Sequence, residues 1–197
     1  MTNVVITISR EYGSGGRQIG EQLAKELGFA FYDKDLLKIV AEKSGIDEEV
    51  IRKADEEAAN PLFATYYPPH LDPGSFNDKV FKMQADLIRE KAATENCGLV
   101  GRCGNYILEE AENAVHVFIY ADEEAKIART MERHQIGRDE AEKRIKKMDK
   151  QRRTYYQYYT EWKWARTEGF DIMLNSSALG VDATVAAIKA VVEAKRG

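Results

Sequence analysis

The stretch Val4–Gly28, VVITISREYGSGGRQIGEQLAKELG, carries the first decision about the fold. Val4–Ile8 is a continuous apolar, β-branched run without alternation, the pattern of a strand covered on both faces in a parallel sheet. Gly13, Gly15 and Gly16 then give a loop its backbone freedom. Ile19, Leu23, Ala24 and Leu27 share one helical face, with Gly28 as the C-terminal cap. In a strand–loop–helix segment of this kind the loop amides converge and the helix N-terminus adds partial positive charge, which suits a phosphate. The usual motif, G-x-x-x-x-G-K-[ST], is incomplete: Arg17 stands where a lysine would be useful, and Gln18 where a magnesium-binding hydroxyl would be. Arginine can donate to two phosphate oxygens at once, although its planar fork differs from a compact ammonium. A flexible turn before an ordinary helix is the plainer reading, and it suits this context less well.

Working outward, Phe29–Tyr32 reads as a short strand ending at Asp33-Lys34-Asp35. Helices are predicted over Leu36–Lys43 and, after the Asp47 cap, over Glu48–Ala58. Asn60–Asn77 holds all four prolines and no periodic pattern, so it is expected to be a long loop. Val80–Thr94 returns to helix, with Val80, Gln84, Leu87, Ile88 and Lys91 on one face. Cys97–Gly101 and Ala114–Ala121 read as two more buried strands. Asp122 is expected to cap a helix that Gly137 ends, and Asp139 with Glu142 forms a capping-box pattern opening the next. That helix reaches the tyrosines near Tyr155–Tyr159. Asp171–Asn175 is a last strand and Val181–Lys195 a closing helix. Strands alternating with helices predict a three-layer α/β fold with a mostly parallel sheet.

The 197 residues and 44% hydrophobic content suit one domain. A net charge of −4 argues against nucleic acid or an acidic membrane as the main partner. No apolar run approaches the roughly 20 residues that span a bilayer, and the N-terminus shows no export signal. Cys97 and Cys103 give neither a disulfide framework nor, with three scattered histidines, a metal pattern. The expected location is the cytoplasm.

Cations are concentrated instead. Between Lys126 and Arg166 there are 13 Lys/Arg against 6 Asp/Glu, in a chain that is acidic overall. Such a segment suits closure over an anion, since phosphoryl transfer needs positioning and positive charge around the transferring oxygens. Arg129 and Arg133 lie one helical turn apart, a like-charge spacing that an anion would relieve. Asp149, Arg152 and Arg153 sit at i, i+3 and i+4, so the aspartate can hold an arginine in place. The plainer alternative for each is a solvated charged face. Arg102 follows a buried strand, on the side where open α/β sheets bind ligands. Asp33 reads as functional, toward metal or acceptor, and Asp35 as a helix cap. His116, inside a strand, reads as structural. Aromatics among basic residues in YYQYYTEWKW can stack bases, but here they continue a helical pattern that would pack that helix onto the body.

The series ITISREYGSGGRQIGEQLAKELG, FYDKDLL, GLVGRCGNYIL, VFIYADEEAKIARTMER, DKQRRTYYQYYT and DIMLNSSALGVDATVAAI resembles the cytidylate kinase-like family, a branch of the P-loop nucleoside monophosphate kinases. The likeness runs in order along almost the whole chain. It implies a single domain over 1–197 with a five-stranded parallel sheet, an acceptor-binding region at about 34–95 and a helical lid at about 134–168. It also implies transfer from ATP, with Mg²⁺, to a nucleoside monophosphate such as CMP or dCMP. On that reading Gly13, Ser14, Gly15, Gly16, Arg17 and Gln18 hold the donor phosphates, with Arg129 and Arg133 closing over them. Asp33 and Arg102 face the acceptor, and Arg17, Arg102, Arg152 and Arg153 serve the transfer. The metal ligands are not specified, and a homo-oligomer stays open. The chain departs from the better-studied cytidylate kinases in the lysine and hydroxyl already noted, in Gly101-Arg102-Cys103 where those have Gly-Arg-Asp, and in Pro61–Asn77. Two other readings follow from these departures: a P-loop kinase for another small acceptor, and a nucleotide-binding regulator without catalysis.

Overall fold

Five strands, β1 (Val5–Arg10), β2 (Ala30–Tyr32), β3 (Cys97–Val100), β4 (Ala114–Tyr120) and β5 (Ile172–Asn175), form one parallel sheet in the order β2-β3-β1-β4-β5. The computed structural model describes residues 3–60 and 75–196. β1 is central, with Val5 opposite both Cys97 and Ala114. Its unbroken apolar run follows from cover on both faces: Ile6 and Ile8 pack with Ile19 and Leu23, while Val5 joins Leu36, Ile88 and Leu99 on the other side. Alternate side chains of a strand point to opposite faces, so one short run feeds two cores.

The helices are α1 (Gly16–Leu27), α2 (Asp35–Ser44), α3 (Glu48–Ala58), α4 (Phe76–Thr94), α5 (Gly104–Ile107), α6 (Glu123–His134), α7 (Arg138–Thr160) and α8 (Ser176–Arg196). α1 and α8 cover one face of the sheet; α2 to α5 and the tyrosines of α7 build the other core. This is the predicted three-layer arrangement. Gly28, at φ 67°, caps α1 through its amide to the carbonyls of Ala24 and Lys25. α8 continues across a non-helical Gly180, so it begins earlier than the predicted Val181.

Several predicted helix ends differ. Asp35 is the exposed first residue of α2, not its cap; Lys34 holds that position without a side-chain bond. Asp122 stands at the N-cap of α6, but its carboxylate accepts from Asn175 Nδ2 (3.0 Å) rather than from the helix. α6 stops at Gln135, whose φ of 53° is left-handed, and Gly137 is the N-cap of α7. The Asp139–Glu142 capping box is therefore absent: Glu142 accepts from Arg138 Nε (2.9 Å) across one turn. Of the expected loop over Asn60–Asn77, residues 61–74 lie outside the described residues, and α4 already begins at Phe76 behind a Ser75 cap.

No described helix is long and apolar enough to cross a membrane. The tyrosines near the end of α7 face inward. Tyr159 stacks on Phe81 (3.9 Å between centroids), Tyr156 accepts from Asn105 Nδ2 (2.9 Å), and Tyr155 donates to Asp55 Oδ1 (3.2 Å). They pack α7 onto the body, as the helical reading expects.

Candidate active site

The chain leaves β1 through α1 toward β2 on one side, whereas β3 returns through α5 to β4 on the other. The C-terminal edge between β1 and β3 is therefore the place where an open α/β sheet offers a crevice. The glycine loop lies at this edge. Gly13 (φ 77°) and Gly15 (φ 78°) are left-handed, and a Cβ on Gly13 would come within 2.8 Å of the Lys126 carbonyl oxygen. Only glycine admits both the dihedral and the contact with α6.

α1 starts at Gly16 with no side-chain cap and no acidic residue in its first turn. The Ser14 hydroxyl, fully buried, donates to the Glu11 carbonyl (2.8 Å) and accepts from Gly16 N (3.4 Å), so it shapes the loop from within. The amides of Arg17 and Gln18 have no hydrogen-bond partner among the described residues. Two bare amides at the N-terminus of a 12-residue helix favour an oxyanion.

α6 and α7 brace the loop. Arg129 donates from Nη1 to the Gly13 carbonyl (3.4 Å) and to Ser176 Oγ (3.1 Å), and Ser176 Oγ donates to the Ser14 carbonyl (2.5 Å). Lys126 pairs with Glu11 at 2.9 Å. Tyr12 donates its amide to Asp149 (2.7 Å), and its hydroxyl meets His134 Nε2 (2.7 Å) and Arg144 Nε (3.1 Å). Arg152 lies over the Tyr12 ring, pairs with Asp149 at 3.5 Å and donates to the Arg10 carbonyl at 3.1 Å. Burial pulls the Arg152 pKa down and pushes the Asp149 carboxyl up. Arg133 is exposed and has no ion pair among the described residues, and Arg153 is exposed over the Trp164 ring. Of the four arginines expected to close over the phosphates, Arg129, Arg133, Arg152 and Arg153, the structure brings Arg129 and Arg152 to the loop.

Arg17 turns to the end of β2, where its Nε donates to Asp33 Oδ2 at 2.7 Å; that hydrogen bond is the largest cause of its raised pKa. Arg17 is half exposed and Asp33 buried, so the two form one unit beside the loop. Gln18 is exposed. Arg102 follows β3 in a run of three left-handed residues, Gly101, Arg102 and Cys103, at φ 78°, 56° and 55°. Each non-glycine residue in that region costs about 1 kcal/mol or more, a strain that clusters at ligand sites. Arg102 pairs with Asp55 of α3; burial is the largest single influence and opposes its charge, but Asp55 and Tyr155 together hold its pKa above the ordinary value. Asp55 also accepts from Gln84 Nε2 (3.1 Å), while Gln84 Oε1 is buried without a partner among the described residues. His116 sits in β4 against Thr7 Oγ1 (2.8 Å), in keeping with a structural role.

One family model, the cytidylate kinase-like family, matches residues 5–178. The chain belongs to the cytidylate kinase-like family. An uncharacterized protein from Eubacterium ventriosum ATCC 27560 shares the structure at TM-score 0.74 and 28% identity, with 97% of this chain and 99% of that one covered. Shikimate kinase from Acinetobacter baumannii, solved with shikimate, gives TM-score 0.55 at 16% identity (98% and 94% covered). A gluconokinase from Sinorhizobium meliloti 1021 gives 0.53 at 15% (98% and 95%). At these identities the last two share the fold alone. No curated protein sequence matches the chain. Membership in a cytidylate kinase-like family, on a P-loop kinase fold, supports a kinase acting on a nucleotide or another small molecule.

Sequence reasoning in this cytidylate kinase-like chain passed over Arg10, Tyr12, Ser176 and the Glu11–Lys126 pair. Arg10 and Tyr12 were legible only as neighbours of the glycines. Ser176 comes from the far end of the chain and carries no local signal.

Proposed function

We propose that the protein transfers the terminal phosphoryl group of ATP to a nucleoside monophosphate, with CMP or dCMP as the acceptor. One observation carries this reading: two amides without a partner among the described residues open α1 beside a loop that Arg129 grips at the Gly13 carbonyl and Arg152 at the Arg10 carbonyl where β1 ends, at the crevice edge of a parallel sheet. Those amides, with Gly13, Ser14, Gly15 and Gly16 setting the loop's path, fit the phosphate chain of a nucleotide. Arg152 and Arg153 on α7 are cations of a lid over about 134–168, and Arg129 and Arg133 on α6 flank the donor phosphates. Asp33 with Arg17, and Arg102 beyond β3, flank the acceptor side, whose binding region covers about 34–95. Among the described residues no group of three His, Cys, Asp or Glu side chains could hold a metal. Mg²⁺, when bound, would neutralise charge on the reacting phosphates through their own oxygens and water.

The test is ADP formation from Mg-ATP by purified protein across CMP, dCMP, UMP, AMP, GMP, shikimate and gluconate. Stimulation by CMP or dCMP alone supports the proposal. The fold shared with shikimate kinase and gluconokinase structures favours a second reading, a kinase of a non-nucleotide acceptor. Stimulation by shikimate or gluconate selects it. Tight ATP binding with a flat response across the panel selects a nucleotide-binding regulator.

A further inference from the structure

The lysine of a standard phosphate loop leaves the first turn of its helix and reaches back over the loop. Here Arg17 stands at that position and turns away to Asp33, and at Gly16, one residue earlier, the direction a side chain would take is already occupied. A Cβ on Gly16 would lie 2.6 Å from Arg10 Cβ, 3.1 Å from Arg10 Cγ and 3.3 Å from Ile119 Cβ. Arg10 is the last residue of β1, and its stem fills the space that a side chain at position 16 would enter. Its guanidinium continues across the sheet edge to the end of β3. There a Cβ on Gly101, itself at φ 78°, would collide with Arg10 Nη1. Two glycines, one opening α1 and one in the turn after β3, thus open the path for one arginine.

Among the described residues the guanidinium ends without a counter-ion. The nearby carboxylates are committed elsewhere: Asp33 to Arg17, Asp149 to Tyr12 N and Arg152, and Asp55 to Arg102. No ion pair to Arg10 is present among the described residues. Burial pulls the Arg10 pKa down to about 9; Arg152 and Arg102 add to this, and Asp33 and Asp149 oppose it. A part-buried cation beside two other arginines is an unfavourable resting arrangement that a polyanion would relieve. Arg17, by contrast, already has its carboxylate.

We propose that Arg10, delivered from the end of β1 through the openings at Gly16 and Gly101, is the cation that holds the donor's terminal phosphates in place of the loop lysine. The inference rests on the nucleotide-binding reading above. In the transfer, the bond from the terminal phosphorus to the bridging oxygen breaks and one from the acceptor oxygen to that phosphorus forms. Negative charge grows on the bridging oxygen of the departing ADP, and the two-pronged guanidinium neutralises it.

The experiment measures binding of Mg-ATP, AMP and inorganic tripolyphosphate to the wild type, Arg10→Met, Arg10→Lys and the double variant Arg10→Gly/Gly16→Lys, together with ADP formation. Arg10→Met keeps the apolar stem, and thermal unfolding verifies that each variant folds. The expected result is a loss of about tenfold or more in affinity for ATP and tripolyphosphate in Arg10→Met. AMP binding changes little, Arg10→Lys falls between, and the double variant regains part of the loss by returning a lysine to the helix. Wild-type affinity for ATP and tripolyphosphate in a folded Arg10→Met overturns the inference. So does failure of the wild type to bind either polyphosphate, which would also remove the kinase reading. Arg10-dependent binding with no acceptor phosphorylated leaves the inference standing and rejects the kinase reading alone.

Discussion

Replacing Asp55 tests the polar centre that seats Arg102. Its carboxylate pairs with Arg102 and accepts from Gln84 Nε2 at 3.1 Å and Tyr155 Oη at 3.2 Å. The Asp55 side chain is 10% exposed and that of Arg102 20%, so solvent screens the pair only weakly. Asp55→Asn preserves shape and one accepting oxygen, so it removes chiefly the charge and strands a desolvated guanidinium. Breaking one partner of a buried pair costs about 3–5 kcal/mol. The lower end applies here because the pair keeps some contact with water. At about 2–4 °C per kcal/mol for a chain of this size, the melting temperature should fall by roughly 6–12 °C. Asp55→Ala, which also leaves Gln84 and Tyr155 without their acceptor, should cost about 1–2 kcal/mol more. Urea unfolding with an unchanged slope measures both. Arg102→Met in the Asp55→Asn background should recover about half of the loss, because no unpaired charge remains. A loss below about 1 kcal/mol for Asp55→Asn, or no recovery in the double variant, would refute the reasoning.

Three further outcomes are expected. Gly13→Ala places a Cβ 2.8 Å from the Lys126 carbonyl oxygen at a φ of 77°; it should lower stability by about 1–3 kcal/mol and weaken ATP binding, read by melting and titration. Burial lowers the His116 pKa, with Asp171 opposing and Lys195 adding. The neutral ring is thus favoured on folding, its contribution is complete above about pH 6.5 and it is lost as pH falls through the lower folded value. The urea midpoint of the wild type should therefore drop more between pH 7.5 and 5 than that of His116→Gln, and parallel curves would contradict this. Burial pushes the Cys97 thiol up to about 12 and raises that of Cys103 as well. Both should resist a disulfide reagent at pH 8 until urea unfolds the chain, and fast labelling of the native protein would contradict that burial.

The sheet was readable because its strands are short apolar runs bounded by glycine and polar residues, and Val4–Ile8 and Ala114–Ala121 place the two central ones nearly to the residue. Helix ends were read less well. Asp35 and Asp139 have the right chemistry for caps, but Asp35 lies inside α2 and Gly137 opens α7 instead. α5 went unseen because four residues, Gly104–Ile107, carry no period, and three left-handed residues precede it. At the site, the glycine loop was visible as a local pattern. The Arg17–Asp33 and Arg102–Asp55 pairs were not, since each joins separate elements that only the fold brings together. The same holds for Arg10, whose direction depends on glycines six and ninety-one positions away.

The most direct measurement is to incubate the protein with Mg-ATP labelled at the terminal phosphate and with CMP, and to follow the label. The account predicts that it appears in CDP, in equal amount to ADP, and that UMP, AMP and GMP accept little. Label released only as inorganic phosphate, or retained in ATP despite saturating nucleotide, would contradict the proposed transfer.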